Sequence, residues 1–433
     1  MPEVTEARRR AILSWALYDF ANSPFTTLVV TFVYSTYFTR AIVGDEILGT
    51  ALWSRGVTIT ALVVAFSSPL LGALADRGGY RKLFVVISTL VCSAATAMLY
   101  FVVPGQIVAA LAIAVVANIA FELGGVFYNA FLPDLAPRDR IGWVSGLGWG
   151  LGYFGGLAAL VIALLGFVLP DAPWFGIGKE AGENVRATNL LVAVWFLVFS
   201  VPLFLWVHED KSRVSPSGAV LSATVAQLSA TFSKVRRYRQ IVRFLVARLV
   251  YNDALVTIFA FGGIYAAGTF GFSEAEVIEF GIAINVAAGA GAILLGILDD
   301  KIGGKRTIVV SLIGLMLATG LAAVATSKLW IWVAGIVIGI FSGPNQAASR
   351  SLMARFVPDS VENEFFGFFA FSGKLTAFMG PFLLGLATQI SGSQRIGVSV
   401  VIGLFAIGLG LVFAVDEKEG RAATREPAEH AAA

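Results

Sequence analysis

Twelve apolar runs of about 20 residues, each long enough to cross a hydrocarbon core of about 30 Å as a helix, dominate this 433-residue chain. They lie near 14–38, 51–74, 83–103, 106–130, 142–169, 189–207, 241–267, 276–298, 307–326, 328–348, 364–390 and 393–415. With 57% hydrophobic and only 14% charged residues, the chain cannot hide this surface in a water-soluble core, so its solvent is largely lipid. A spanning β-barrel would need short alternating segments, and the sequence has none. The expected fold class is therefore an all-α integral membrane protein with twelve transmembrane helices. The long fifth and eleventh runs leave room for interfacial turns.

Loop charge orients such a bundle. When loops are assigned alternately to two sides, twenty-two Lys and Arg fall on one side, including Arg8, Arg9, Arg10, Arg138, Arg140, Arg350 and Arg355. Six fall on the other: Arg40, Arg55, Lys179, Arg186, Lys328 and Arg395. The positive-inside rule then places both termini in the cytoplasm, and reads the basic clusters as topology determinants instead of nucleic-acid patches. In a prokaryote the membrane would be the inner, plasma membrane. No cleavable signal peptide is expected, because the first run is too long and carries Asp19.

The polar, basic segment 208–240 separates six spans from six and reads as a cytoplasmic linker, with an amphipathic stretch near 219–233. This gives an N-terminal six-helix bundle over 1–207, a C-terminal one over 241–415, and a cytoplasmic tail over 416–433. The halves echo one another. Gly72-Ala-Leu-Ala-Asp-Arg-Gly-Gly-Tyr-Arg-Lys82 recurs as Gly296-Ile-Leu-Asp-Asp-Lys-Ile-Gly-Gly-Lys-Arg306, matching Asp76 with Asp300, Arg77 with Lys301 and Arg81 with Lys305. A second echo pairs Pro137 with Pro358, Gly146 with Gly367 and Gly152 with Gly373. Two matches at nearly one spacing imply a duplicated, pseudo-symmetric six-helix unit.

The loop between spans two and three resembles the signature loop of the major facilitator superfamily. In it Gly72 permits close helix approach, Asp76 can cap a neighbouring helix, and Arg77, Arg81 and Lys82 can bridge to the next bundle. Such contacts would form in one conformation and open in the other; the alternative is a cluster that only anchors one membrane face. Three further stretches, Trp15-Ala-Leu-Tyr-Asp-Phe-Ala-Asn-Ser23, Phe127-Tyr-Asn-Ala-Phe-Leu-Pro-Asp-Leu135 and Gly343-Pro-Asn-Gln-Ala-Ala-Ser-Arg350, resemble the autophagy-related vacuolar effluxers and their prokaryotic relatives. That resemblance covers essentially all twelve spans. It implies a permease whose fungal vacuolar members export amino acids, which puts amino acids first among substrates. The glycines Gly148, Gly152, Gly155 and Gly156 are similar to the facilitator antiporter motif without its proline. The small-xxx-small spacing of Gly148, Gly152 and Gly156 is expected to let two helices slide closely.

A charge at membrane depth costs about 2.5–3.5 kcal/mol on insertion scales, so Asp19, Glu122, Arg248, Asp253 and Lys374 should face a cavity or a partner. Asp19 and Asn22 share a face of the first span, with Trp15 a turn earlier and Pro24 weakening the helix just beyond; they either present polar groups at an unwound segment or join helices. Asn118, Glu122 and Asn129 fall on one stripe of the fourth span. Glu122 is the first candidate for a proton-binding carboxylate; alternatively it forms a fixed ion pair with Arg248 or Lys374. Asp253 in the seventh span is pseudo-equivalent to Asp19 and is expected across the cavity from it. Arg248 and Asn252 share a face; Arg248 either holds a substrate carboxylate or neutralises Glu122. Lys374 either binds an anionic group or pairs with Asp253. Asn285, Asn345 and Gln346 are weaker candidates, the last two beside Pro344, which is expected to interrupt the tenth span.

No G-x-x-x-x-G-K-[ST] loop exists for nucleotide hydrolysis. With His208 and His430 outside the spans and Cys92 the lone cysteine, no metal site and no cofactor is expected. Asp19 and Asp253 superficially offer an aspartate pair for proteolysis, but the duplicated architecture argues against an enzyme. The expected function is secondary transport of a small polar solute, amino acids first, by alternating access with proton coupling as an option. Its partners are a small-molecule substrate, membrane lipids and protons, with no nucleic acid, and a monomer suffices. Movement of a lipid or amphiphile, and a non-transporting sensor or scaffold, are the alternatives.

Overall fold

The structure, a computed structural model, describes residues 6–209, 238–358 and 361–423. The stretch 219–233, most of the linker and the tail from 424 lie outside the described residues. Among the described residues all regular structure is helical, without strands.

The chain opens with α1 (Glu6–Pro24), which passes directly into a π-helical segment, Phe25–Phe32. Then come α2 (Glu46–Gly78), α3 (Arg81–Met98), α4 (Ile107–Asn129), α5 (Ile141–Ala163) and α6 (Glu183–Trp206). The second set is α7 (Arg239–Phe270), α8 (Glu274–Ile302), α9 (Gly304–Val324) and α10 (Lys328–Phe356). It closes with α11 (Glu362–Lys374), α12 (Met379–Ser391), α13 (Gln394–Phe413) and the short α14 (Glu417–Ala423). Eleven helical segments are by themselves long and apolar enough to cross a membrane, α11 and α12 counting as one. The first of the twelve expected spans is not among them. It is helical over Glu6–Phe32 but divided at Pro24, where the proline ring and missing N–H disrupt α-helical bonding and the chain widens to π geometry. The expected interruption at Pro344 does not occur, since α10 runs unbroken through it. The eleventh span does break, at residues 375–378.

Packing follows the sequence echo. In the first set α1 packs on α5 and α6, and α4 on α2 and α3; in the second α7 packs on α13, and α10 on α8 and α9. The sets meet along two seams, α2 against α11 and α5 against α8. Large apolar side chains such as Val108 and Ile390 stand 81% and 78% exposed on the outer surface, which is the lipid-facing side of a bundle whose solvent is hydrocarbon.

Glycines make both seams close. A Cβ at Gly72 would lie 2.3 Å from the Asn363 carbonyl oxygen, and one at Gly367 2.5 Å from that of Ser68. On the other seam a Cβ at Gly146 would lie 2.3 Å from the Ala292 carbonyl oxygen. The face of α5 bearing Gly148, Gly152, Gly155 and Gly156 packs closely on α1 of its own set, meeting Asp19, Ser23, Phe20 and Thr27. Gly142, Gly146 and Gly150 on the opposite face meet α8.

Candidate functional site

The polar groups gather in three layers. The outermost closes the end that carries the basic loops. Asp76, at the end of α2, accepts the backbone N–H groups of Asn363 (3.0 Å) and Glu364 (2.8 Å) at the start of α11, and the Asn363 amide (2.6 Å). Asp300, at the end of α8, accepts those of Gly142 (2.7 Å) and Trp143 (2.8 Å) at the start of α5. Each carboxylate satisfies donors that the first turn of a helix leaves free and sits at the positive end of its dipole. Arg81 extends the first contact, bonding Asp134 at 2.7 Å, the Ala130 carbonyl at 3.0 Å and Glu362 at 3.2 Å. Arg355 extends the second, bonding Asp299 (2.7 Å) and Asp300 (2.9 Å). Arg77 is half-buried at the end of α2, and Lys301 is exposed at the end of α8. Lys305 binds the carbonyls of Phe413 and Val415 in its own set of helices, unlike its echo Arg81.

The middle layer centres on Arg350, which sequence reasoning counted with the loop cations. It is buried inside the bundle, its side chain 4% exposed, paired with Asp19 at 2.9 Å. Its other donors reach Asn129 Oδ1 (3.2 Å), Ser145 Oγ (2.9 Å) and the Ser145 carbonyl (2.6 Å). The guanidinium carbon lies 4.8 Å from the Trp15 ring centroid, 5.8 Å from Tyr128 and 5.6 Å from Trp149. Trp15 and Tyr128 stack at 4.6 Å and 11°, and the Trp15 indole N–H binds the Tyr128 carbonyl, so these rings are fixed. The first two family-like stretches thus form one seat, and the third supplies the arginine that fills it. The clue available in sequence was Arg350 itself, which lies just two residues past an apolar run inside one of those stretches.

The inner layer holds the remaining ionic groups. Lys374, at the end of α11, pairs with Glu122 of α4 at 2.5 Å, with side chains 32% and 21% exposed. Of the two cations left open for Glu122 the partner is Lys374 and not Arg248, and Lys374 does not pair with Asp253. Arg248 donates to the Phe369 carbonyl (2.7 Å) and Ser372 Oγ (2.9 Å), and its guanidinium carbon lies over the Phe369 ring, 3.6 Å from the centroid. Asn252, on the same face, donates to the Gly373 carbonyl at 3.2 Å. Asp253 is buried and accepts the Gly380 N–H at 2.8 Å, stabilising the start of α12 just after the break. Asp19 and Asp253 therefore occupy different surroundings, one at a buried arginine and one at a helix start. Asn118, one turn from Glu122, lines a mostly apolar pocket with Phe25, Trp53, Thr60 and Leu111. Asn22 is half-buried one turn from Asp19. Asn285 bonds within its own helix, Asn345 bonds Ser311, and Gln346 crosses to the Tyr153 hydroxyl.

Comparison with known proteins agrees with this architecture. The family model described as "Vacuole effluxer Atg22 like" matches residues 41–142 and 138–425. The "Uncharacterized MFS-type transporter YxiO" of Bacillus subtilis (strain 168) is 29% identical over 408 residues, 94% of each chain. Autophagy-related protein 22 of Yarrowia lipolytica is 22% identical over 461 residues, covering 86% of this chain and 76% of that protein. Among solved structures, the E. coli fucose:proton symporter FucP superposes with a TM-score of 0.73 at 13% identity, over 94% of this chain and 98% of the other. The human organic anion transporter MFSD10 gives 0.74 at 14%, over 94% and 100%. At such identities the structural likeness shows the fold alone, a major facilitator fold, while the family match spans most of the chain. The chain belongs to the Atg22-like vacuole effluxer family, and is an integral membrane transporter of the major facilitator type, not an enzyme.

Proposed function

We propose that this transporter moves a small polar solute bearing a carboxylate, amino acids first, by alternating access of two six-helix bundles, 1–207 and 241–415. The segment 208–240 links them in the cytoplasm, and 416–433 is a tail. The basic end is cytoplasmic, as the bias of Lys and Arg requires, with both termini there. The observation that carries the substrate reading is the pairing pattern of the inner layer. Lys374 has Glu122, whereas Arg248 has only neutral oxygens and a ring face within reach among the described residues. A guanidinium without a carboxylate at membrane depth is ready to take one from a ligand, bidentately.

Glu122 and Lys374 join α4 to α11 and so span the two bundles. A zwitterionic substrate competes with both partners, its ammonium for Glu122 and its carboxylate for Lys374 or Arg248, and so loosens a contact between the bundles. Glu122 is the proposed proton carrier when Lys374 leaves it. Asp19, Asn22, Asn118, Asn129, Asn252 and Asp253 complete the polar lining or support it. Gly72, Asp76, Arg77, Arg81, Asp300, Lys301 and Lys305 belong to the conformational closure. The test is stabilisation of the purified protein by a ligand panel, since a ligand that binds the folded state raises its apparent melting temperature. Amino acids are expected to raise it in the wild type, and Arg248→Gln to weaken that binding about 10- to 100-fold, the size of a charge-assisted contact. A panel in which only apolar-tailed amphiphiles stabilise the protein would sink this reading. That outcome would favour movement of an amphiphile through the apolar pocket at Phe25, Trp53 and Leu111.

A further inference from the structure

Among the described residues, every group that holds the Arg350 guanidinium comes from the first five spans: Trp15 and Asp19 from α1, Tyr128 and Asn129 from α4, Ser145 and Trp149 from α5. The guest comes from α10, whose Ala347 carbonyl also accepts the Ser145 hydroxyl at 2.7 Å. The seat is thus complete in one bundle, and its occupant is a side chain of the other. Its chemistry is selective. Asp19, Asn129 and Ser145 supply oxygens to all three guanidinium nitrogens, and three aromatic rings lie within cation–π range. Gly148 makes the room: a Cβ there would lie 2.6 Å from Asp19 Oδ2 and 2.8 Å from an Arg350 terminal nitrogen. The seat also lies on the same α4 stripe as the inner ion pair. Asn129 is seven residues beyond Glu122, about 10 Å further toward the basic end at helical rise.

We propose that this seat is a second cargo station, for a guanidinium-bearing solute, and that Arg350 is a tethered stand-in that fills it while the basic end is closed. The inference rests on the alternating-access reading, because the seat empties only when the bundles part and α10 withdraws Arg350. A solute released from the inner layer then meets a vacant aromatic box with a carboxylate on its way out. An alkylammonium would use Asp19 and the rings but not the three in-plane oxygens, and would bind more weakly.

Two measurements on the full-length protein test this. First, Arg350→Ala vacates the seat. Ethylguanidinium should then quench the fluorescence of Trp15 and Trp149 saturably, at least 10-fold more tightly than neutral ethylurea, and adding Asp19→Asn or Gly148→Ala should abolish the difference. No preference for ethylguanidinium over ethylurea overturns the proposal. Second, and independent of whether the variant folds, wild-type protein in liposomes should exchange arginine at least 10-fold better than its neutral analogue citrulline. Equal exchange of the two overturns it. A cysteine at Ser68, buried on the α2–α11 seam, in a Cys92→Ala background, separates the two levels of the argument. If an impermeant maleimide labels it from the basic side while arginine shows no advantage, the seat assignment fails and alternating access stands. If it never labels, the bundles do not part at that end and both fail.

Discussion

Asp76 and Asp300 make the same contact in opposite directions. Each lies near the end of a helix in its own set of spans and holds the second and third N–H groups of a helix in the other set, Asn363 and Glu364 for Asp76, Gly142 and Trp143 for Asp300. The separation of the acceptors in sequence is 224 residues, and that of the donors 221, the two offsets of the internal repeat. The repeat is therefore visible in the closure it builds and not only in its helices.

Because the two closures are equivalent, neither should dominate. Asp76→Asn and Asp300→Asn each remove a charge from a partly buried helix start, which costs about 1–2 kcal/mol, or about 5- to 30-fold in the population of the closed state. The rate of maleimide labelling at a Ser68→Cys position should rise by that factor in either single variant and by roughly the product in the double variant. A variant that labels like the parent would show that its closure is ornamental.

Glu122→Gln leaves a hydrogen-bonding group of the same shape for Lys374 but no site for a proton. The expected result is proton-driven uptake reduced at least 100-fold with solute exchange retained within a few-fold, read in liposomes with and without a pH gradient. Unchanged proton-driven flux would move the coupling elsewhere.

The tail contact has its own pH dependence. Hydrogen bonds from Arg239 and Gln240 hold Glu419 below the ordinary carboxylate range, and the backbone N–H of Glu419, followed by that of Lys418, does the same for Asp416. A depressed folded-state value means the contribution is fully present above the unfolded value and is lost as pH falls through the folded one. Protection of the amides of Glu417–Ala423 from exchange, relative to the free-peptide rate at each pH, should thus be constant at neutral pH and fall selectively under acid, below the usual carboxylate range. Arg239→Gln should shift that fall to higher pH.

Hydropathy made the twelve crossings legible because an apolar run of that length has one physical use. The duplicated loop was legible because its glycine and aspartate occur in both copies. What could not be read was pairing at long range. Arg350 and Asp19 are 331 residues apart, and Glu122 and Lys374 252, and chain spacing does not choose which of several buried cations meets which carboxylate. Pro24 and Pro344 show a second limit. The same residue widens one helix into π geometry and leaves the other continuous, since a proline's effect depends on how neighbouring groups re-satisfy the freed carbonyls.

The fifth span carries its glycines on two faces that do different jobs, and this bears on how the protein can vary. A methyl group added at Gly152 or Gly155 wedges α5 from α1 within the first set of spans, and if that set moves as a unit the penalty applies in every conformation, so such changes would be seen as poor yield. One added at Gly146 or Gly150 obstructs the surface against α8, which under the proposed alternating access forms and dissolves once per cycle. Variation on that second face would then tune turnover without touching the proposed binding groups.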